Sequence, residues 1–184
     1  MNHTAYDIRR ATQDDAEALA QVHETTWRET YAGLMSEQLL DALTADARAE
    51  AWRRILTGQA GYLGTTYVAD RDGTLAAYGS CGEQRHAAFA EAGYGGEFAA
   101  VYVRAADQRR GLGTRLMRAM MDDLTARGLN AFTLWVPRNN IPARSLYEQL
   151  GGKVIGQRTD TRDQGTLVEI AYGWPDPAAS MDAA

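Results

Sequence analysis

Residues 95–114 read Gly95-Gly96-Glu97-Phe98-Ala99-Ala100-Val101-Tyr102-Val103-Arg104-Ala105-Ala106-Asp107-Gln108-Arg109-Arg110-Gly111-Leu112-Gly113-Thr114, and their order of properties decides the fold. Residues 97–103 form a strand-like run, a short polar connector follows, and Gln108 to Gly113 make a tight turn. A helix then opens in which Leu112, Leu116, Met120 and Leu124, spaced by four, share one face. The first N–H groups of a helix have no partner inside it and sit at the positive end of its dipole. A turn of small residues that presents them is an anion site, and a diphosphate suits it best. Arg109 and Arg110 add positive charge beside it. A dinucleotide loop would place a third glycine where Leu116 stands, and no GxxxxGK[ST] run occurs.

A second pattern follows downstream. Residues 134–151 carry Leu134, Val136, Asn140, Ala143, Tyr147 and Gly151 in the arrangement L-x-V-x-x-x-N-x-x-A-x-x-x-Y-x-x-x-G. Together with Gln108-x-x-Gly111-x-Gly113, this resembles the acetyl-CoA-binding motifs of the GNAT N-acetyltransferase superfamily. Gly152 stands where that family usually has phenylalanine, a departure that concerns packing more than chemistry. The two motifs cover about the central third of the chain, and their combination is specific.

The chain has 184 residues, 45% of them hydrophobic and 23% charged, which fits one domain with a proper core. We expect that domain over residues 1–174 and a disordered tail over 175–184. A net charge of −5 argues against a nucleic-acid surface. Cys81 is the single cysteine, so no disulfide framework exists within the chain, and a small buried residue on a strand is the expectation for it. The absence of a charged-then-apolar leader or of an apolar run of membrane-spanning length leads to the expectation of a cytoplasmic protein without membrane association.

Read in order, residues 6–10 form a strand and Thr12-x-x-Asp15 opens a helix in capping-box style. That helix continues through Leu19, His23, Trp27 and Tyr31, with Gly33 as its stop. A second helical region spans 36–56, with Leu39, Leu40, Leu43, Trp52 and Ile55 and a break near 44–46. Strands over 62–70 and 74–82 are joined by Arg71-Asp72-Gly73, a hairpin signal. Residues 83–96, rich in Ala and Gly, read as a mobile loop. A strand over 129–136, a helix over 140–150 and strands near 154–158 and 166–172 complete the order β-α-α-β-β-β-α-β-α-β-β. This is an α/β arrangement, a mixed sheet flanked by helices, and it matches the fold the resemblance implies.

The resemblance also implies roles. The backbone of Val101, Tyr102 and Val103 would hydrogen-bond the pantetheine amides of acetyl-CoA where two strands part, much as a peptide adds to a sheet edge. Gln108, Arg109, Arg110, Gly111, Leu112, Gly113 and Thr114 would hold the diphosphate, and Asn140 would contact the arm. Asn140 also sits where a helix N-cap belongs, with Pro142 in the first turn. Tyr147 would protonate the departing thiolate, or it is a core aromatic. An acceptor amine with a lysine-like pKa of about 10.4 arrives protonated, so a base is required. Glu97 is the candidate, set against the reading of an ordinary strand-end carboxylate in water. Trp27, Tyr31, Glu97 and Trp135, with Glu24 and Glu29, are candidates for an aromatic and acidic acceptor pocket suited to a cationic amine, although Trp27 also fits a core position. His23 reads as a hydrogen-bonded core residue, and no metal is expected.

The implied activity is transfer of acetyl from acetyl-CoA to a primary amine of a small molecule by direct attack in a ternary complex. Acetylation of a protein N-terminus or lysine is one alternative, and a non-catalytic acyl-CoA sensor is another. A homodimer would follow from the family's habit.

Overall fold

A computed structural model describes residues 6–31, 44–61, 64–162 and 165–176. Gly33, residues 36–43, Tyr62 and the tail beyond residue 176 lie outside the described residues. The element order is β1 (Asp7–Arg10), α1 (Ala16–Tyr31), α2 (Ala45–Leu56), β2 (Gly64–Arg71), β3 (Thr74–Glu83), α3 (Ala87–Glu91), β4 (Gly96–Val103), α4 (Leu112–Ala126), β5 (Phe132–Pro137), α5 (Ile141–Gln149), β6 (Lys153–Arg162) and β7 (Gly165–Trp174). The strands make one mixed sheet in the order β1-β2-β3-β4-β5-β7-β6. β1 and β2 pair antiparallel, β4 and β5 parallel, and β7 runs antiparallel to both β5 and β6. The mixed sheet flanked by helices expected from the sequence is the architecture found.

By contact density the chain divides into two compact units, Met1–Ser80 with Ala100–Met120, and Cys81–Ala99 with Met121–Ala184. In the first unit, Asp15 accepts the Thr12 N–H at 2.7 Å and takes both ends of the Arg9 guanidinium at 2.8 Å, so the start of α1 is fixed by its own cap. Leu19, Ala20 and Val22 of α1 pack with Ala49 and Trp52 of α2 and with Val68, Leu75 and Tyr78 of the strands. A second cluster joins Leu112 and Leu116 of α4 to Tyr6, Ala69, Ala76 and Ala77. The spacing-by-four face expected for α4 is therefore its buried face. Asp72 and Gly73 close the β2–β3 hairpin with positive φ.

In the second unit, residues 83–96 are not a loop throughout. Ala87–Glu91 is a helix, formed from good helix-forming residues. Its Phe89 ring lies 5.5 Å from Trp135 and 6.2 Å from Tyr94, which anchors a segment whose small residues alone suggested mobility. Leu129 also lies outside the strand expected for it, in the connector between α4 and β5. Gly128, with φ of 78°, ends α4, and the Leu129 N–H donates back to the Leu124 carbonyl at 2.9 Å, so β5 begins three residues later. Cys81 is fully buried.

Gly152 is explained by Trp174. A Cβ at Gly152 would lie 2.6 Å from the Trp174 ring and 2.8 Å from the Tyr147 carbonyl oxygen. The Trp174 indole N–H donates to the Leu150 carbonyl at 2.8 Å and the side chain is fully buried. The tryptophan thus fills the volume that an aromatic at 152 would need. Gly152→Ala is expected to destabilise the fold by about 2 kcal/mol through overpacking, lowering the thermal midpoint by roughly 4–8 °C; calorimetry checks this.

Candidate active site

Arg109 and Gly111 adopt φ of 60° and 74°, the left-handed conformation that glycine takes freely and arginine does not. Left-handed residues set among others of ordinary hand turn successive N–H groups toward one side, forming an anion-binding concavity. Residues 108–111 are exposed, whereas Leu112, the first residue of α4, is buried and fixes the helix start. A Cβ at Gly111 would meet nothing within 4 Å, so glycine is required here by backbone conformation and the space beside the turn is open. The Gln108 side-chain amide donates to the Val103 carbonyl at 3.2 Å, tying the turn to the end of β4.

A brace under this turn was not apparent in the sequence. Asp107 is buried and accepts the Tyr6 hydroxyl at 2.6 Å. Arg71 donates to that hydroxyl at 2.9 Å with its guanidinium 4.9 Å from the Tyr6 ring centre, and Arg115 donates to the Tyr6 carbonyl at 2.8 Å. Residues about one hundred positions apart hold the approach to the turn, and no local pattern signals such a contact.

In the second unit, Glu97 pairs with Thr133 in the parallel ladder of β4 and β5. Its carboxylate is buried, not in open water. It accepts the Arg85 guanidinium and, at 3.3 Å, the Arg85 backbone N–H. The Arg85 side chain is 63% exposed against 12% for Glu97, so the guanidinium lies on the solvent side of the pair. Asn140 caps α5 by accepting the Ala143 N–H at 3.2 Å, with Pro142 in the first turn. Tyr147 is buried, its ring centre 5.9 Å from Tyr172 and 6.2 Å from Trp174. Trp135 carries the Arg158 guanidinium 4.4 Å from its ring centre, and Arg158 pairs with Glu169 at 2.7 Å.

The acceptor candidates of the first unit have a character that the sequence did not suggest. Trp27 and Tyr31 lie 4.9 Å apart, and the Tyr31 and Tyr102 hydroxyls are 3.5 Å apart. Arg48 stands over Trp27 at 5.5 Å. Both tryptophans expected to face a cationic amine thus already carry an arginine. Glu29 accepts the Ala105 N–H at 2.9 Å and Glu24 pairs with Arg28 at 3.5 Å, so each of these carboxylates already has a partner. His23 does not have the hydrogen bond expected of it: among the described residues, both its ring nitrogens, the Trp27 indole nitrogen and the Tyr78 hydroxyl are buried without a partner. Such a group costs about 1–3 kcal/mol. Among the described residues, no group of three or more His, Cys, Asp or Glu is placed to hold a metal ion, and no helix is long and apolar enough to cross a membrane.

Burial, with Arg48 nearby, pushes the His23 pKa down to about 4. Above pH 6.5 the ring is neutral folded and unfolded. Below it the unfolded chain takes up a proton that the folded chain refuses, so stability falls as pH drops from about 6.5 to about 4. At pH 5 the loss from this group is roughly 1–2 kcal/mol. Urea midpoints at pH 7 and 5 check it, with His23→Phe expected to flatten the dependence.

Comparison with known proteins bears on the family and the fold. The model of the acetyltransferase (GNAT) family matches residues 19–152. The uncharacterized N-acetyltransferase YuaI of Bacillus subtilis is 28% identical over 174 residues, covering 94% of each chain. The PaiA N-acetyltransferase of Thermoplasma acidophilum, solved in complex with coenzyme A, superposes with a TM-score of 0.68 at 22% identity, covering 90% of this chain and 98% of its own. The yncA protein of Salmonella typhimurium, solved with its cofactor acetyl-CoA, gives a TM-score of 0.68 at 21% identity, covering 92% of each chain.

Proposed function

Because the chain belongs to the GNAT acetyltransferase family, we propose that it transfers acetyl from acetyl-CoA to a primary amine of a small molecule, by direct attack in a ternary complex. The observation that carries the donor half is the exposed turn of residues 108–111, with left-handed Arg109 and Gly111 leading into the N-terminus of α4. The open space beside Gly111 fits a diphosphate. That two similar folds were solved with coenzyme A or acetyl-CoA supports the same assignment. On this reading the N–H groups from Arg109 to Thr114 take the phosphates, with the Arg109 and Arg110 side chains beside them. The backbone of Val101 and Tyr102 takes the pantetheine amides. The Val103 carbonyl keeps its bond to Gln108, and its second lone pair remains for the arm.

Acetyl-CoA supplies an activated thioester. The remaining chemistry is proton management by this chain. Glu97, directly or through a water, takes the proton that frees the amine lone pair. As the new C–N bond forms and the C–S bond breaks, the Tyr147 phenol gives its proton to sulfur. The nitrogen loses its surplus proton through the same carboxylate to solvent, and the phenolate is reprotonated from solvent. Arg85, exposed and paired with Glu97, is the group the carboxylate leaves when it acts as base.

An acetylation assay over a broad panel of amines, reading free thiol, tests the reading. Thiol release that needs both acetyl-CoA and an amine is the expected result. Tight coenzyme A binding with no release for any amine would assign a sensor instead.

A further inference from the structure

The buried polar atoms left unpartnered in the first unit form one group. The His23 ring centre lies 5.4 Å from Trp27 and 5.7 Å from Tyr78. Among the described residues, the His23 nitrogens, the Trp27 indole nitrogen and the Tyr78 hydroxyl all lack hydrogen bonds, although Tyr78 is only 1% exposed. Native interiors seldom leave such atoms unmatched, and each one calls for an explanation. Their chemistry is uneven. An indole nitrogen only donates, a neutral imidazole donates from one nitrogen and accepts at the other, and a phenol can do either. Arg48, partly buried over Trp27, adds a full positive charge that acts on both groups: burial and then Arg48 hold the His23 pKa down, while burial pushes the Tyr78 phenol up against the opposing pull of Arg48. Among the described residues no carboxylate pairs with it. Its guanidinium stands 5.5 Å from the Trp27 ring centre and carries a planar fork of N–H donors.

A donor-rich set beside one cation rejects an ammonium and matches a group that only accepts and is negatively charged. We infer that His23, Trp27, Tyr78 and Arg48 form a carboxylate subsite, so that the acceptor is an amine that also bears a carboxylate, of the amino-acid class. This rests on the acetyltransferase reading above and narrows its acceptor. The acid group then docks on α1, α2 and β3 and accepts from the indole, the phenol and the one imidazole N–H, while the amine end of the molecule stays clear of Arg48.

Matched acceptors test it: L-leucine against 3-methylbutylamine and L-leucinamide, and L-phenylalanine against phenethylamine, with the wild type, Arg48→Met, Arg48→Lys and Tyr78→Phe. The acids are expected to exceed their uncharged or decarboxylated partners by about 100-fold in kcat/KM, the scale of a charge-assisted pair. Arg48→Met shrinks that preference to a few-fold, and Arg48→Lys retains an intermediate one. Tyr78→Phe lowers the preference yet raises the thermal midpoint by about 2–4 °C, since it removes a buried hydroxyl without a partner. Equal rates for acids and plain amines, or an Arg48→Met preference like that of the wild type, overturn the subsite and leave the acetyltransferase reading standing. Thiol release with no acceptor at all overturns that reading instead. In that case calorimetric titration with L-leucine in the presence of coenzyme A decides the subsite alone: heat from L-leucine but not from 3-methylbutylamine supports it, and silence from both refutes it.

Discussion

Gly111→Val is expected to lower the affinity for coenzyme A about 100-fold, measured by calorimetric titration, while the protein stays folded. The cause is the backbone angle. Gly111 sits at φ of 74°, where an L-residue is disfavoured by about 1–2 kcal/mol and a β-branched one is stiffer still. No neighbour crowds a Cβ there, so the variant relieves strain by rotating the peptide, and the N–H groups leave their common direction. A hydrogen bond to a charged group contributes about 1.5–3 kcal/mol, and losing two corresponds to 100-fold or more. Gly111→Ala should fall between valine and the wild type. An affinity within about threefold of wild type for the valine variant would remove the turn from the diphosphate site.

Tyr147→Phe is expected to lower turnover by about 10²–10⁴, the usual contribution of a positioned proton donor, with coenzyme A affinity held within a few-fold. The ring keeps its contacts with Tyr172 and Trp174, so the change is confined to the hydroxyl. Single-turnover thiol release at saturating acetyl-CoA measures it. Turnover within twofold of wild type would make Tyr147 a packing residue.

What the sequence disclosed and what it withheld divide along one physical line. The 108–114 turn, the α4 stripe and the Asn140 cap depend on residues a few positions apart, and each leaves a local pattern of glycine, spacing or side-chain oxygen. The Tyr6–Asp107 brace, the Arg85–Glu97 pair and the filling of residue 152's volume by Trp174 depend on tertiary approach, which no window of sequence records. The helix at Ala87–Glu91 was hidden for a related reason. Its small residues resemble a loop until Phe89 finds Trp135. His23 differs: its place on the inward face of α1 suggests a satisfied core histidine, whereas among the described residues neither ring nitrogen finds a partner.

The claim on which the rest depends is that main-chain donors at the start of α4 grip the phosphates of the acetyl carrier. A crystal structure with coenzyme A tests it most directly. Diphosphate oxygens are expected at about 2.7–3.2 Å from backbone nitrogens between residues 109 and 114. A diphosphate bound elsewhere, with that turn in contact only with solvent, would contradict it.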